Sequence, residues 1–103
     1  MTGSDSRLII ATKLLEALAA KDLDGVMACV TETVTMDTPM GPKKGQAQTR
    51  GMFSMVTAMG GKPSAPKIDS DAIHARVDSA MTKSVMTMHF TGDLVSHIVV
   101  TLG

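Results

Sequence analysis

The sequence predicts an α+β fold, a cone in which three helices pack on a curved, mostly antiparallel sheet. Three observations carry that expectation. Apolar residues recur at helical spacing in the segments 6–20, 22–30 and 46–59. Alternation of apolar and polar residues marks 31–38 and three β-prone runs after residue 66. Between the last two runs, Gly92-Asp93 is a two-residue hairpin signal. Helices segregated against such a sheet make an α+β layer, and strong sheet curvature leaves a conical hollow where a small ligand would sit.

Each element has a local reason. From Ser6 to Ala20, Leu8, Ala11, Leu15 and Leu18 share a helical face with Leu14 beside them, and Ser4, Asp5 or Ser6 can cap the start. Asp22 caps a shorter helix whose face is Leu23, Val26, Met27 and Val30, weakened slightly by Gly25. The stretch TETVTMDT puts Val34 and Met36 on one side and Thr33, Thr35 and Asp37 on the other, as a half-buried strand does. PMGPKKG then reads as a loop.

Gln46 to Met59 forms the third helix, with Met52, Met55, Val56 and Met59 as its stripe, and Gly60-Gly61 followed by Pro63 ends it. Strands are expected at 67–77, 82–91 and 94–102, joined by Asp78-Ser79-Ala80 and Gly92-Asp93. Pairing Thr91 with Leu94 places Met88 on the face of His97, Met86 on the face of Val99, and His89 on the other face.

Composition excludes several functions. The 103 residues, 44% hydrophobic, suit a single domain spanning 1–103, since a chain of this length buries roughly 60–70% of its unfolded surface. Ten basic residues balance ten acidic ones, no basic run exceeds Lys43-Lys44, and Phe53 and Phe90 are the only aromatics. A nucleic-acid partner is not expected. MTGSDSRLII is no signal sequence and no apolar run approaches ~18 residues, so no membrane and a cytoplasmic location are expected. Cys29 is the sole cysteine and reads as a buried, inert thiol. His74, His89 and His97 have no helical spacing that would pair two of them, so a metal site is not expected; no cofactor is expected either. Ten methionines, against so few aromatics, suggest a pliable core that is also a cavity wall. The candidate lining for an apolar ligand is Val34, Met36, Met52, Met55, Met86 and Met88.

LLEALAAKDLDGVMACV, the acidic strand entering PMGPKKG, the helix ending in AMGG and the hairpin HFTGDLVSHIVV together resemble the nuclear-transport-factor-2-like superfamily, which includes SnoaL-like polyketide cyclases, ketosteroid isomerases and limonene-1,2-epoxide hydrolases. The resemblance covers nearly the whole chain. Pro39-x-x-Pro42-x-x-Gly45 and Arg76-Val77-Asp78 look most like the epoxide hydrolase branch, where an arginine and two acids hold and deprotonate a water. The second acid's position on the last strand carries Val99 here, and the chain has no tyrosine. Ketosteroid isomerase chemistry would match Asp37 to a general base only with a one-residue shift.

The resulting catalytic candidates are Asp37, Arg76, Asp78 and His97. Asp37 serves either the surface or a cavity. His74, Arg76 and Asp78 form one polar row, which is a site if it faces the cone and a solvated edge otherwise. His97, among Ile98, Val99 and Val100, is either a satisfied core histidine or a cavity group that moves a proton. Val85, Leu94, Ile98, Val100 and Leu102 share the face opposite His97, and a homodimer would cover it. Two functions follow. One is an acid–base enzyme acting on a terpenoid-, steroid- or polyketide-like molecule; the other is a non-catalytic ligand-binding or dimerisation module of the same fold.

Overall fold

The computed structural model describes residues 3–69, 72–79 and 83–102. Its order is α1 (Gly3–Ala19), α2 (Leu23–Met27), β1 (Val30–Thr38), β2 (Gly41–Lys44), α3 (Gly45–Ala58), β3 (Lys62–Pro63), β4 (Lys67–Asp69), β5 (Ala72–Asp78), β6 (Lys83–Thr91) and β7 (Leu94–Leu102). The strands form one sheet in the order β2-β1-β7-β6-β5-β3, with β4 also paired to β5. All pairs are antiparallel except β1 with β7. The α+β cone, three helices on a curved sheet, is the observed architecture.

The helices follow their apolar spacing. Ala11, Leu14, Leu15 and Leu18 of α1 are buried, as the 3.6-residue period requires. The side chains of residues 3–6, where a cap was expected, lie outside the described residues. Lys21 turns the chain at φ 61°, and Asp22 Oδ1 accepts the Gly25 N–H at 3.1 Å to cap α2. On α3 the buried face is Thr49, Phe53 and Thr57, with Met52 and Val56 half-buried beside it. The expected methionine stripe is therefore rotated. Phe53 takes the core position, where its larger apolar surface gains most from burial, and Met55 and Met59 stay 40% and 42% exposed on the flank. Gly60 ends the helix at φ 75°, a conformation that costs glycine nothing.

PMGPKKG is only in part a loop: Pro39-Met40 turn the chain, but Gly41–Lys44 is the strand β2. Thr38 and Gly41 close a tight turn in which Thr38 Oγ1 donates to the Gly41 carbonyl at 2.8 Å, and β2 then pairs with β1. Pro42 is tolerated because β2 is an edge strand. The expected strand 67–77 is divided into β4 and β5, while β3 is an addition. The Ala80 and Thr82 ends of the expected turn and strand fall outside the described residues.

The closing hairpin pairs Thr91 with Leu94, as its turn residues predict, yet its register then changes. Phe90 faces Val95 while His89 faces His97, so Ser96 is the extra residue of a β-bulge. That one residue turns everything after it to the other face. Met88 therefore opposes Ile98 and Met86 opposes Val100, correcting the expected partners His97 and Val99. Ile98, Val100 and Leu102 lie on the helix side of the sheet, and His97 lies on the open side with His89. The core is built on the helix side from Val34, Met36, Ile73, Ala75, Val77, Met86, Met88 and Ile98 against Leu14, Leu18 and Phe53.

Candidate functional site

The cone is closed at depth by its own side chains and open at one end. Beneath α3, a void of about 20 Å³ lies among Leu18, Met36, Phe53 and Met86, barely the space of one water. Next to it, and sharing Met52, Val56, Val77, Ser84 and Val100, an open groove of about 340 Å³ extends to the surface. The tight β1–β2 turn brings Pro39 and Met40 to its rim, and α3 contributes Met55 and Met59 from its exposed flank. Leu102 of β7 and Ser79, just past the end of β5, complete it.

No titratable side chain among the described residues lines this groove. Ser84 Oγ already donates to the Val77 carbonyl at 2.8 Å. Four of the eleven lining residues are methionines, whose unbranched, polarizable side chains can move to fit an irregular apolar shape. The groove can remove apolar surface from water, but its described lining offers a substrate no carboxylate or imidazole.

Of the six expected lining residues, Met52 and Met55 border the groove, and Met36 and Met86 border the void below it. Val34 and Met88, both 0% exposed, lie in packed core and line neither space. Pro39, Met40, Val56, Met59, Val77, Ser79, Ser84, Val100 and Leu102 also line the groove, beyond the expected set. The methionine count pointed at Met40 and Met59; Val100 was hidden by the bulge, which no pattern in the hairpin announces.

The four catalytic candidates stand on the open face and form two separate pairs. Asp37 Oδ2 lies 3.3 Å from His97 Nε2, and Thr35 Oγ1 lies 2.6 Å from His97 Nδ1. In the tautomer that carries its proton on Nε2, His97 would turn that proton to the Asp37 carboxylate and Nδ1 would accept from the Thr35 hydroxyl. Parallel pairing of β1 with β7 sets this up, because Thr35 pairs with His97 and Asp37 with Val99. Further along the sheet, the Arg76 guanidinium stands 3.8 Å from Asp78 Oδ1, with both side chains about half exposed. His74, on the same row, shares a 2.8 Å hydrogen bond with Thr87 Oγ1. The row faces away from the cone.

Away from both places, burial pushes the Cys29 thiol up from its ordinary value, and nearby Lys13 offsets part of that rise. Among the described residues no group of three or more histidine, cysteine or acidic side chains could hold a metal ion, and no helix is long and apolar enough to cross a membrane.

Residues 11–101 match the family model of the SnoaL-like domain, and the chain belongs to that family, within the nuclear-transport-factor-2-like superfamily. A SnoaL-like protein of unknown function from Burkholderia thailandensis superimposes with a TM-score of 0.81 at 16% identity, covering 100% of this chain and 98% of that one. An NTF2-like protein of unknown function from Cytophaga hutchinsonii gives 0.76 at 13% identity, covering 100% and 91%. TerC, co-crystallised with polyporic acid, gives 0.73 at 12% identity, covering 95% and 92%. At these identities the likeness is one of fold. No curated protein matches the chain.

Proposed function

We propose that this SnoaL-like domain binds a small, neutral, largely apolar molecule, of terpenoid or comparable size, in the methionine-lined groove between α3 and the sheet. The observation that carries the reading is the separation of chemistry from cavity. The groove is apolar, whereas Asp37, His97, Arg76 and Asp78 lie on the opposite face. General acid–base catalysis needs a proton-transferring group within hydrogen-bond reach of the substrate, which a molecule in the groove would lack. Binding without turnover is therefore favoured over an epoxide hydrolase, isomerase or cyclase. A volume of about 340 Å³ lies at the lower end of ligand pockets generally, which favours a terpenoid over a steroid. The co-crystal of TerC with polyporic acid supports small-molecule binding on this fold.

The test is thermal unfolding with neutral probes. Limonene or a terpene alcohol should raise the Tm with increasing concentration, because a ligand that binds only the folded state stabilises it by mass action. Met52→Ala and Met55→Ala should each reduce that rise. Stabilisation by sugars or nucleotides alone would overturn the reading.

A second copy of the chain over the open sheet face is part of the proposal. Val99 lies there half-buried on β7 among Thr35, Thr87 and Thr101, a surface on the β1–β7 half of the face that a matching face would cover while leaving β5 open. Sedimentation at micromolar concentration should give twice the 10.8 kDa chain mass, and a monomer would remove this part.

A further inference from the structure

The edge of the sheet beyond β5 holds a different kind of site. Pro63 of β3 pairs with Val77 and Lys67 of β4 pairs with His74, so the intervening Ser64, Ala65 and Pro66 arch past β5 without continuing the ladder. The arch is fixed at one residue. Ser64 N–H donates to the Arg76 carbonyl at 2.7 Å, and Arg76 N–H donates to Ser64 Oγ at 3.0 Å. Beside it opens a cleft of about 330 Å³, distinct in its lining from the methionine groove.

Its walls carry Lys67, His74 and Arg76 with the Ser64 hydroxyl, while Val85 and two alanines supply an apolar floor. Lys67 and His74 are direct cross-strand partners, so their Cβ atoms lie about 4.5–5.5 Å apart. Arg76 is two residues along from His74, on the same side of β5. No carboxylate is among the described residues that line the cleft. Among the described residues the acid that pairs with Arg76 is Asp78, and that contact is long, at 3.8 Å, with both side chains about half exposed although Asp78 Oδ1 itself is shielded from water. In a chain whose ten basic and ten acidic residues cancel, two permanent cations and an imidazole around one concavity are a local excess of positive charge.

We propose that this cleft binds a small organic anion, a carboxylate or a phosphate monoester with a compact apolar body. The anionic oxygens would lie between Lys67 and Arg76, whose planar fork suits either group, and the apolar body would lie on Val85. Asp78 is the built-in competitor for Arg76. The site is independent of the neutral ligand proposed for the groove, and either can fail without the other.

Calorimetry on the whole chain at low ionic strength tests it, with benzoate, phenyl phosphate and inorganic phosphate as anions and benzyl alcohol as the neutral control. One equivalent of benzoate or phenyl phosphate should bind, the tighter of the two naming the anionic group, with inorganic phosphate weaker and benzyl alcohol silent. Arg76→Gln and Lys67→Gln should each weaken binding about tenfold or more, as loss of a charge-assisted hydrogen bond does. Asp78→Asn should tighten it, and Lys43→Gln, on the far edge strand, should leave it unchanged. Absence of saturable binding by any anion would overturn the proposal. So would equal weakening by Lys43→Gln, which would mark diffuse charge attraction, or indifference to Arg76→Gln.

Discussion

His97 faces His89 across the β6–β7 ladder, with ring centroids 5.9 Å apart. The pairing exists because Ser96 bulges, and it takes the imidazole out of the cone to the open face beside Thr35 and Asp37. His97→Phe should therefore keep the fold. Thr35 and Asp37 are left within reach of water, so the loss should stay below about 1 kcal/mol. Binding of neutral apolar probes should not change. A loss of several kcal/mol, or of probe binding, measured side by side, would place the ring in the core or the ligand path.

Met88 and Met55 should behave oppositely. Met88 is 0% exposed and lines neither the void nor the groove, so Met88→Ala should cost about 2–5 kcal/mol in urea unfolding. Met55 is 40% exposed at the groove, so Met55→Ala should cost less than about 1 kcal/mol while weakening probe binding. Equal destabilisation by both would contradict the division between core and groove wall.

Thr49, fully buried on α3, has a hydroxyl without a hydrogen-bond partner among the described residues. Thr49→Val keeps the branched shape and removes the orphaned polar atom, so it should stabilise the protein by about 1 kcal/mol. A drop in the urea midpoint would show that the hydroxyl is satisfied.

Cys29 should resist alkylation. Burial raises its pKa above the ordinary 9.0, so at pH 8 the folded protein holds the inert thiol form, and iodoacetamide should label it far faster after unfolding. The raised value has a stability consequence of definite sign. Above pH 9.0 the unfolded chain gives up the thiol proton first, so this residue's contribution to stability is lost as pH rises, and Cys29→Ala should flatten that part of the profile. Rapid labelling of the native protein would contradict both.

The sequence made the helices and the hairpin turn legible because their signals are local. The spacing of Ala11, Leu15 and Leu18, the Asp22 cap and Gly92-Asp93 each act within a few residues. What stayed hidden depended on partners distant in sequence. β2 is a strand because β1 offers it a ladder, and the Pro42 and glycine residues that suggested a loop are compatible with an edge. The Ser96 bulge leaves no mark on alternation, yet it decides which face His97, Met88 and Val100 occupy. The expected polar set divided for this reason. Asp37 and His97 meet, Arg76 and Asp78 meet, and the groove between α3 and the sheet is lined by none of the four. The methionine wall was visible as composition, while its order around the groove depended on the rotation of α3.

The parallel pairing of β1 with β7 joins an early strand to the last one described, across the middle of the sheet. During synthesis, which runs from the N-terminus, β1 can gain β2 promptly but must wait for β7 on its other edge. Until then that edge is an open template for another chain. The ordering also makes closure of a long loop a condition of assembling the central ladder, which slows folding relative to a sheet built only from hairpins. A ribosome-stalled chain lacking β7 should therefore be protease-sensitive through β1 even though α1, α2 and the β1–β2 hairpin have all been made.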